Sequence, residues 1–377
     1  MSLHKKCIAI VPPDGELKKQ DFALHRICRY LQNKGFEVNL VKLSTCSLDF
    51  EFAHHTIVLP NKEELIVHLQ KSAYDLVIHR SWMHAYSFAA VLAENIENII
   101  FYIKDWMVEI SPKEYAFVYK TIEDYAAIEK LFLASKRILS HYSDAYTQSV
   151  WSQRYGVSNE KFVYFPEFTD SIYYHEKGEI LYNIANLRLL AVGGLGPTSQ
   201  PCEIADGKTF LKNVQIITKQ KVSIDKMVLP NTYEIIFSSG MFNDYLYENS
   251  FNDYFHIVLG SELNTHATDK YHFGIYQQLY FKADTKESKS MIHADVSKFA
   301  YYLEAGLPIL VNEIFSISTL VAEYEIGIVV SNNDVKNLQR VLDISQKEYA
   351  KLVMNVKEFR KKFSYRDETM KPILEML

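Results

Sequence analysis

The chain has 377 residues, 48% of them hydrophobic and 23% charged, with a net charge of −5. That is the composition of a globular protein with room for two domains of ordinary size. It carries no long basic stripe that would argue for nucleic acid, no apolar run of membrane-spanning length and no C-x-x-C pair among Cys7, Cys28, Cys46 and Cys202. The thiols therefore read as reduced, which implies a cytoplasmic setting.

The first half alternates strands and helices. Cys7 to Val11 is a short apolar strand closed by the turn Pro12-Pro13-Asp14-Gly15. From Asp21, Phe22, Ile27, Cys28 and Leu31 recur at helical spacing until Lys34-Gly35. Strands are predicted at Glu37–Leu43, Thr56–Leu59, Asp75–His79 and Ile99–Ile103, with helices at Glu63–Ser72 and Ala85–Ala93 between them. A mainly helical run follows from Ser111 to about Leu133, then strand Arg137–Ser140, helix Ala145–Tyr155 and strand Lys161–Tyr164. Buried, continuous strands separated by helices argue for a doubly wound parallel sheet.

The rhythm then restarts. Leu187–Val192 is a strand running into Gly193-Gly194-Leu195-Gly196-Pro197, and a helix is expected within Lys208–Lys219. Further strands are expected at Tyr233–Ser238, His256–Gly260 and Phe273–Tyr280, with a helix over Met241–Asn252. Toward the end come helix Ile317–Tyr324, strand Gly327–Val330 and helix Asn333–Leu342; Gln346 to Leu377 is helical with a break near Ser364. The fold class is α/β: two Rossmann-like doubly wound domains, residues 1–168 and 169–350, with C-terminal helices 351–377 crossing back to the first.

The most informative segment is V-S-K-F-A-Y-Y-L-E-A-G-L-P-I-L-V, Val296 to Val311. Ser297 stands where an N-cap belongs, Lys298 to Ala305 form the helix, Gly306 offers a left-handed C-cap and Pro308 blocks continuation. Ile309, Leu310 and Val311 then begin a buried strand. A cation at a helix start that faces a cleft suits a diphosphate.

This segment, with S-T-L-V-A-E-Y-E-I-G-I-V-V after it, resembles the C-terminal domain of GT-B-fold glycosyltransferases, and most closely the sugar-nucleotide-dependent bacterial enzymes of polysaccharide and glycoprotein assembly. The resemblance implies two domains facing a cleft and metal-independent transfer from a nucleotide sugar to a hydroxyl acceptor, such as another glycan. It implies that Lys298 contacts the donor diphosphate, with Ser297 and Tyr302 on the same helix and Gly193 and Gly194 in the loop that approaches the phosphates. Where many members carry a ribose-binding Glu this chain has Tyr301, and Glu304, one turn on, either stands in for it or faces solvent. No cofactor beyond the donor is implied.

On the acceptor side, Lys104-Asp105-Trp106 follows a strand end. A carboxylate there can act as a general base toward an acceptor hydroxyl, and Trp106 can stack on a sugar face. His79-Arg80-Ser81-Trp82 and His84 follow another strand end, and Asp14 and Gly15 occupy the first loop. Peripheral membrane contact and homo-oligomerisation stay open. The rival to an enzyme is a non-catalytic nucleotide-sugar-binding or glycan-assembly subunit on the same fold.

Overall fold

The structure, a computed structural model, describes residues 5–15, 21–50, 52–81, 85–104, 123–143, 146–178, 181–193, 207–228, 252–259, 268–276, 278–281, 292–294 and 297–377. The chain forms two compact units. One holds Met1–Glu167 with Tyr365–Leu377, the other Phe168–Ser364.

The first unit is built on a seven-stranded parallel sheet in the order β3-β2-β1-β4-β5-β6-β7. Its strands are β1 (Cys7–Val11), β2 (Glu37–Leu43), β3 (His55–Leu59), β4 (Leu76–Ser81), β5 (Ile99–Ile103), β6 (Arg137–Ser140) and β7 (Phe162–Tyr164). Every residue of β4 and β5 is buried, as expected for central strands covered on both faces. The helices include Phe22–Asn33, whose N-cap Asp21 accepts from the Leu24 amide, and Lys62–Lys71, capped in the same way by Asn61. Strand β4 runs two residues beyond the expected His79, so Arg80 and Ser81 are strand residues. The expected helix Ala145–Tyr155 opens with a π-helical turn, Thr147–Ser152, that buries Trp151 against Phe132 and Phe162. Of the expected helical run from Ser111, Glu123–Ala134 is described.

The second unit carries a six-stranded parallel sheet, β10-β9-β8-β11-β12-β13. Its strands are β8 (Arg188–Val192), β9 (Ser223–Val228), β10 (Phe255–Leu259), β11 (Phe273–Ile275), β12 (Ile309–Asn312) and β13 (Gly327–Val330). Counted from its own first strand, this sheet has the same order as the first six strands of the other. Strand β9 is an addition to the sequence reading, because Asp225 and Lys226 interrupt its apolar run. Strand β11 is shorter than expected: the Tyr276 amide still bonds Leu310 O, but Tyr280 N already turns to the Asn213 side chain. The strand and helix expected at Tyr233–Ser238 and over Met241–Asn252 lie outside the described residues, apart from Asn252 itself.

The long helix Gln346–Lys362, capped by a Ser345/Glu348 box, packs on the helix Lys298–Glu304 within the second unit, with Phe299 edge-on to Phe363 at 5.2 Å. The return to the first unit therefore begins at Tyr365 rather than at residue 351. There Asp367, in the helix Asp367–Leu374, accepts from Tyr30 Oη at 2.6 Å, and Arg137 donates to Pro372 O at 2.7 Å.

Candidate functional site

In doubly wound sheets ligands bind beyond the carboxyl ends of the strands, at the point where strand order reverses. In the second unit that point lies between β8 and β11. Register pairing stops at Gly274↔Leu190, and beyond it a side chain takes over the bonding. The Tyr302 hydroxyl accepts from Val192 N at 2.9 Å and donates toward Ile275 O at 2.8 Å, with Leu190 O at 3.2 Å.

Tyr302 comes from the helix Lys298–Glu304. The helix forms because Phe299, Tyr302 and Leu303 make one apolar face at i, i+3 and i+4, all buried in the core with Leu190, Val192 and Val311. It ends as the sequence predicts. Gly306 has φ 68°, its amide bonds Leu303 O, and the Leu307 amide bonds Tyr302 O. These are the two bonds of a Schellman stop. At its other end Ser297 is helical in backbone and makes no side-chain capping bond, so it is not the expected cap.

Lys298 is brought to the end of β8. A Cβ added to Gly193 would lie 2.8 Å from Lys298 Cε and 3.5 Å from its Nζ, and Gly193 has φ +114°. The lysine stem thus runs across the glycine backbone, in a space that a side chain at position 193 would fill. Gly193 N bonds Met227 O at 3.1 Å, tying the same point to the end of β9. Lys298 and Gly193 are the two predicted donor-site residues that the structure brings together. Gly194 lies outside the described residues.

Two other predicted contacts are corrected. Tyr302 is fully buried and its hydroxyl is consumed by the sheet, so it braces the site from beneath and does not face a ligand. Glu304 is also fully buried. Its carboxylate accepts from Asp170 N at 2.7 Å, and its carbonyl accepts from His175 N and from Arg360 Nη1. A side chain held this way anchors the segment Phe168–Lys177 and is not available to a ribose. Tyr301, in the place of the family's Glu, is buried with its hydroxyl 3.4 Å from Met227 Sδ.

Sequence reasoning missed Lys226 altogether. It is the fourth residue of β9, 4% exposed, with its Nζ 4.9 Å from the Phe210 ring centroid. Burial, and secondarily the Lys298 charge, hold its proton affinity well below that of an ordinary lysine.

The first unit's strand ends differ. His79 is fully buried, its Nδ1 2.9 Å from Val11 O across the β1/β4 switch point. Burial pushes its pKa down to about 3, so it is neutral and serves as a hydrogen-bonded core residue. Arg80 lies 3.9 Å over the Tyr102 ring and pairs with Asp21 at 3.3 Å, and Arg26 pairs with Glu167 at 2.6 Å. Asp14 is held by Lys62 at 2.6 Å, and Gly15 follows with φ 69°. Asp105, Trp106 and His84 lie outside the described residues. Their neighbour Lys104 continues past the end of β5, its amide bonded to Ser81 O.

Comparisons with known proteins agree with this architecture. Anabaena HepE, solved with UDP and glucose, superposes with a TM-score of 0.62 at 11% identity over 99% of both chains. An α-glucosyltransferase solved with UDP gives 0.60 at 15% identity over 98% of this chain and 99% of that one. An Escherichia coli protein of trehalose-6-phosphate description, bound with UDP-2-fluoro glucose, gives 0.62 at 10% identity over 98% of each. The two units thus have the fold of the GT-B glycosyltransferases. More particularly, the family model "Glucosyltransferase 3-like, C-terminal domain" matches residues 230–375, which include the Lys298 helix. A search of curated protein sequences gives no significant match.

Proposed function

We propose that the protein transfers a hexose from a UDP-sugar to a hydroxyl acceptor, itself a glycan in polysaccharide or glycoprotein assembly. The observation that carries this reading is Lys298 lying across Gly193 at the switch point of the second sheet. Cleavage of the donor's sugar–phosphate bond leaves negative charge on the nucleoside diphosphate, and an ammonium fixed at that point stabilises it as it develops. The helix that carries Lys298 has seven residues, about two turns, so its dipole is a minor contributor and the side-chain charge does most of the work. In this reading the ammonium takes the role a divalent cation has in other transferases, and the transfer is metal-independent.

UDP as the nucleotide is supported by the relatives solved with UDP or a UDP-sugar. The acceptor side we assign to the first unit. Asp105, immediately after Lys104 at the end of β5, is the proposed carboxylate toward the acceptor hydroxyl, with Trp106, His84, Asp14 and Gly15 around the sugar. No helix among the described residues is long and apolar enough to cross a membrane. A cytoplasmic site of action remains the reading from the cysteines, of which Cys7, Cys28 and Cys46 are free thiols.

The test is calorimetric binding of UDP, GDP, CDP and dTDP, followed by turnover of the matching sugar donors. UDP should bind best, and Lys298→Ala should lower transfer by about 100-fold or more. Unchanged nucleotide binding in that variant would overturn the assignment. The full engagement of Glu304, with Tyr301 at the family's Glu position, favours one second reading, a nucleotide-sugar-binding subunit without turnover. Tight UDP-sugar binding with neither hydrolysis nor transfer to any glycan acceptor would select it.

A further inference from the structure

Lysines are almost never fully buried without a partner, because an ammonium moved out of water loses far more than an apolar side chain gains. Lys226 is such a case. Strand alternation sets Ile224, Lys226 and Val228 on the face of β9 that carries Phe210, and Asp225 and Met227 on the other. The neighbouring carboxylate is therefore on the wrong face, and it is already engaged: Asp225 accepts from Tyr271 Oη at 2.6 Å and lies 3.2 Å from both Lys270 Nζ and His256 Nδ1. Among the described residues Lys226 makes no hydrogen bond and no ion pair; its contact is the Phe210 ring. The charged group that acts on it is another cation, Lys298.

For stability alone a methionine or leucine would serve better at this position. A buried lysine with no partner of its own makes sense if an anion completes it, and the Lys298 stem crosses Gly193, two residues along the chain from the register partner of Lys226. Its place in the sheet agrees: Lys226 pairs in register with Ala191, one residue before Met227, whose carbonyl receives the Gly193 amide. We propose that Lys226 is a second residue for the donor's diphosphate, seating it together with Lys298 beside Gly193. This inference rests on the donor reading given above.

The experiment compares UDP with uridine on the full-length protein and on Lys226→Met, which keeps the apolar stem over Phe210 and removes only the charge. The variant should melt no lower than the wild type. It should bind uridine as the wild type does and UDP at least tenfold more weakly. A folded variant with wild-type UDP affinity overturns the inference and leaves the donor reading intact. A wild type that binds no nucleoside diphosphate overturns both. Should Lys226→Met fail to fold, Lys226→Gln takes its place in the same two titrations, and wild-type UDP affinity in that variant overturns the inference.

Discussion

The two sheets share a strand order but treat charge at their carboxyl ends in opposite ways. Among the described residues of the first unit the buried arginines are matched, Arg26 by Glu167 and Arg80 by Asp21, and His79 is neutral. In the second unit Lys226 has Lys298 for its charged neighbour. In the first network each charge is answered by an opposite one within the unit. Lys226, buried with only the Phe210 ring against its ammonium among the described residues, is costly to keep charged until an anion arrives. On the proposed donor reading, the same topology gives a structural strand end in one unit and a phosphate-binding one in the other, and the difference lies in which side chains the strands carry.

That contrast can be broken from either side. If the first network is structural, Arg26→Met should lower unfolding free energy by about 3 kcal/mol, at the lower end for a broken buried pair because Arg80 still lies near Glu167. Urea titration measures this, and nucleotide affinity should not move. Next in size is Tyr302→Phe, which orphans the Val192 amide and should cost about 1–3 kcal/mol. Its donor KM should stay at the wild-type value if the hydroxyl serves the sheet, whereas a rise in KM without loss of stability would restore it to the ligand. The smallest stability effect belongs to Gly193→Ala, about 1–2 kcal/mol for a side chain at φ +114°. Here the new Cβ displaces the Lys298 stem, so UDP affinity should fall by roughly tenfold, a change worth ~1.4 kcal/mol. Unaltered affinity would place the phosphates away from this glycine.

What the sequence disclosed follows a physical divide. The end of the helix Lys298–Glu304 was readable because its signals are local: Gly306 and Leu307 close it by bonds that reach three and five residues back. The alternation of strands and helices was readable for the same reason. Side-chain roles were not, because they depend on partners far along the chain. The Tyr302 hydroxyl bonds a residue 110 positions away, and Glu304 holds one 134 positions away. Both looked like ligand contacts by motif and are braces by geometry. Strand β9 escaped notice because an Asp-Lys pair broke its apolar run. Those two polar residues are also the strand's chemically informative ones, so a polar break inside a buried strand is the signal that was available.

The Tyr302 ring leaves one more mark. It lies so close to Gly274 that a Cβ there would come within 2.4 Å of the ring. Neither position can change its bulk by itself: a larger residue at 274 has no room while an aromatic ring stays at 302, and a smaller residue at 302 leaves a hole over the glycine. The two are one heritable unit, and a descendant of this chain that has lost the tyrosine should be the one in which residue 274 is free to acquire a side chain.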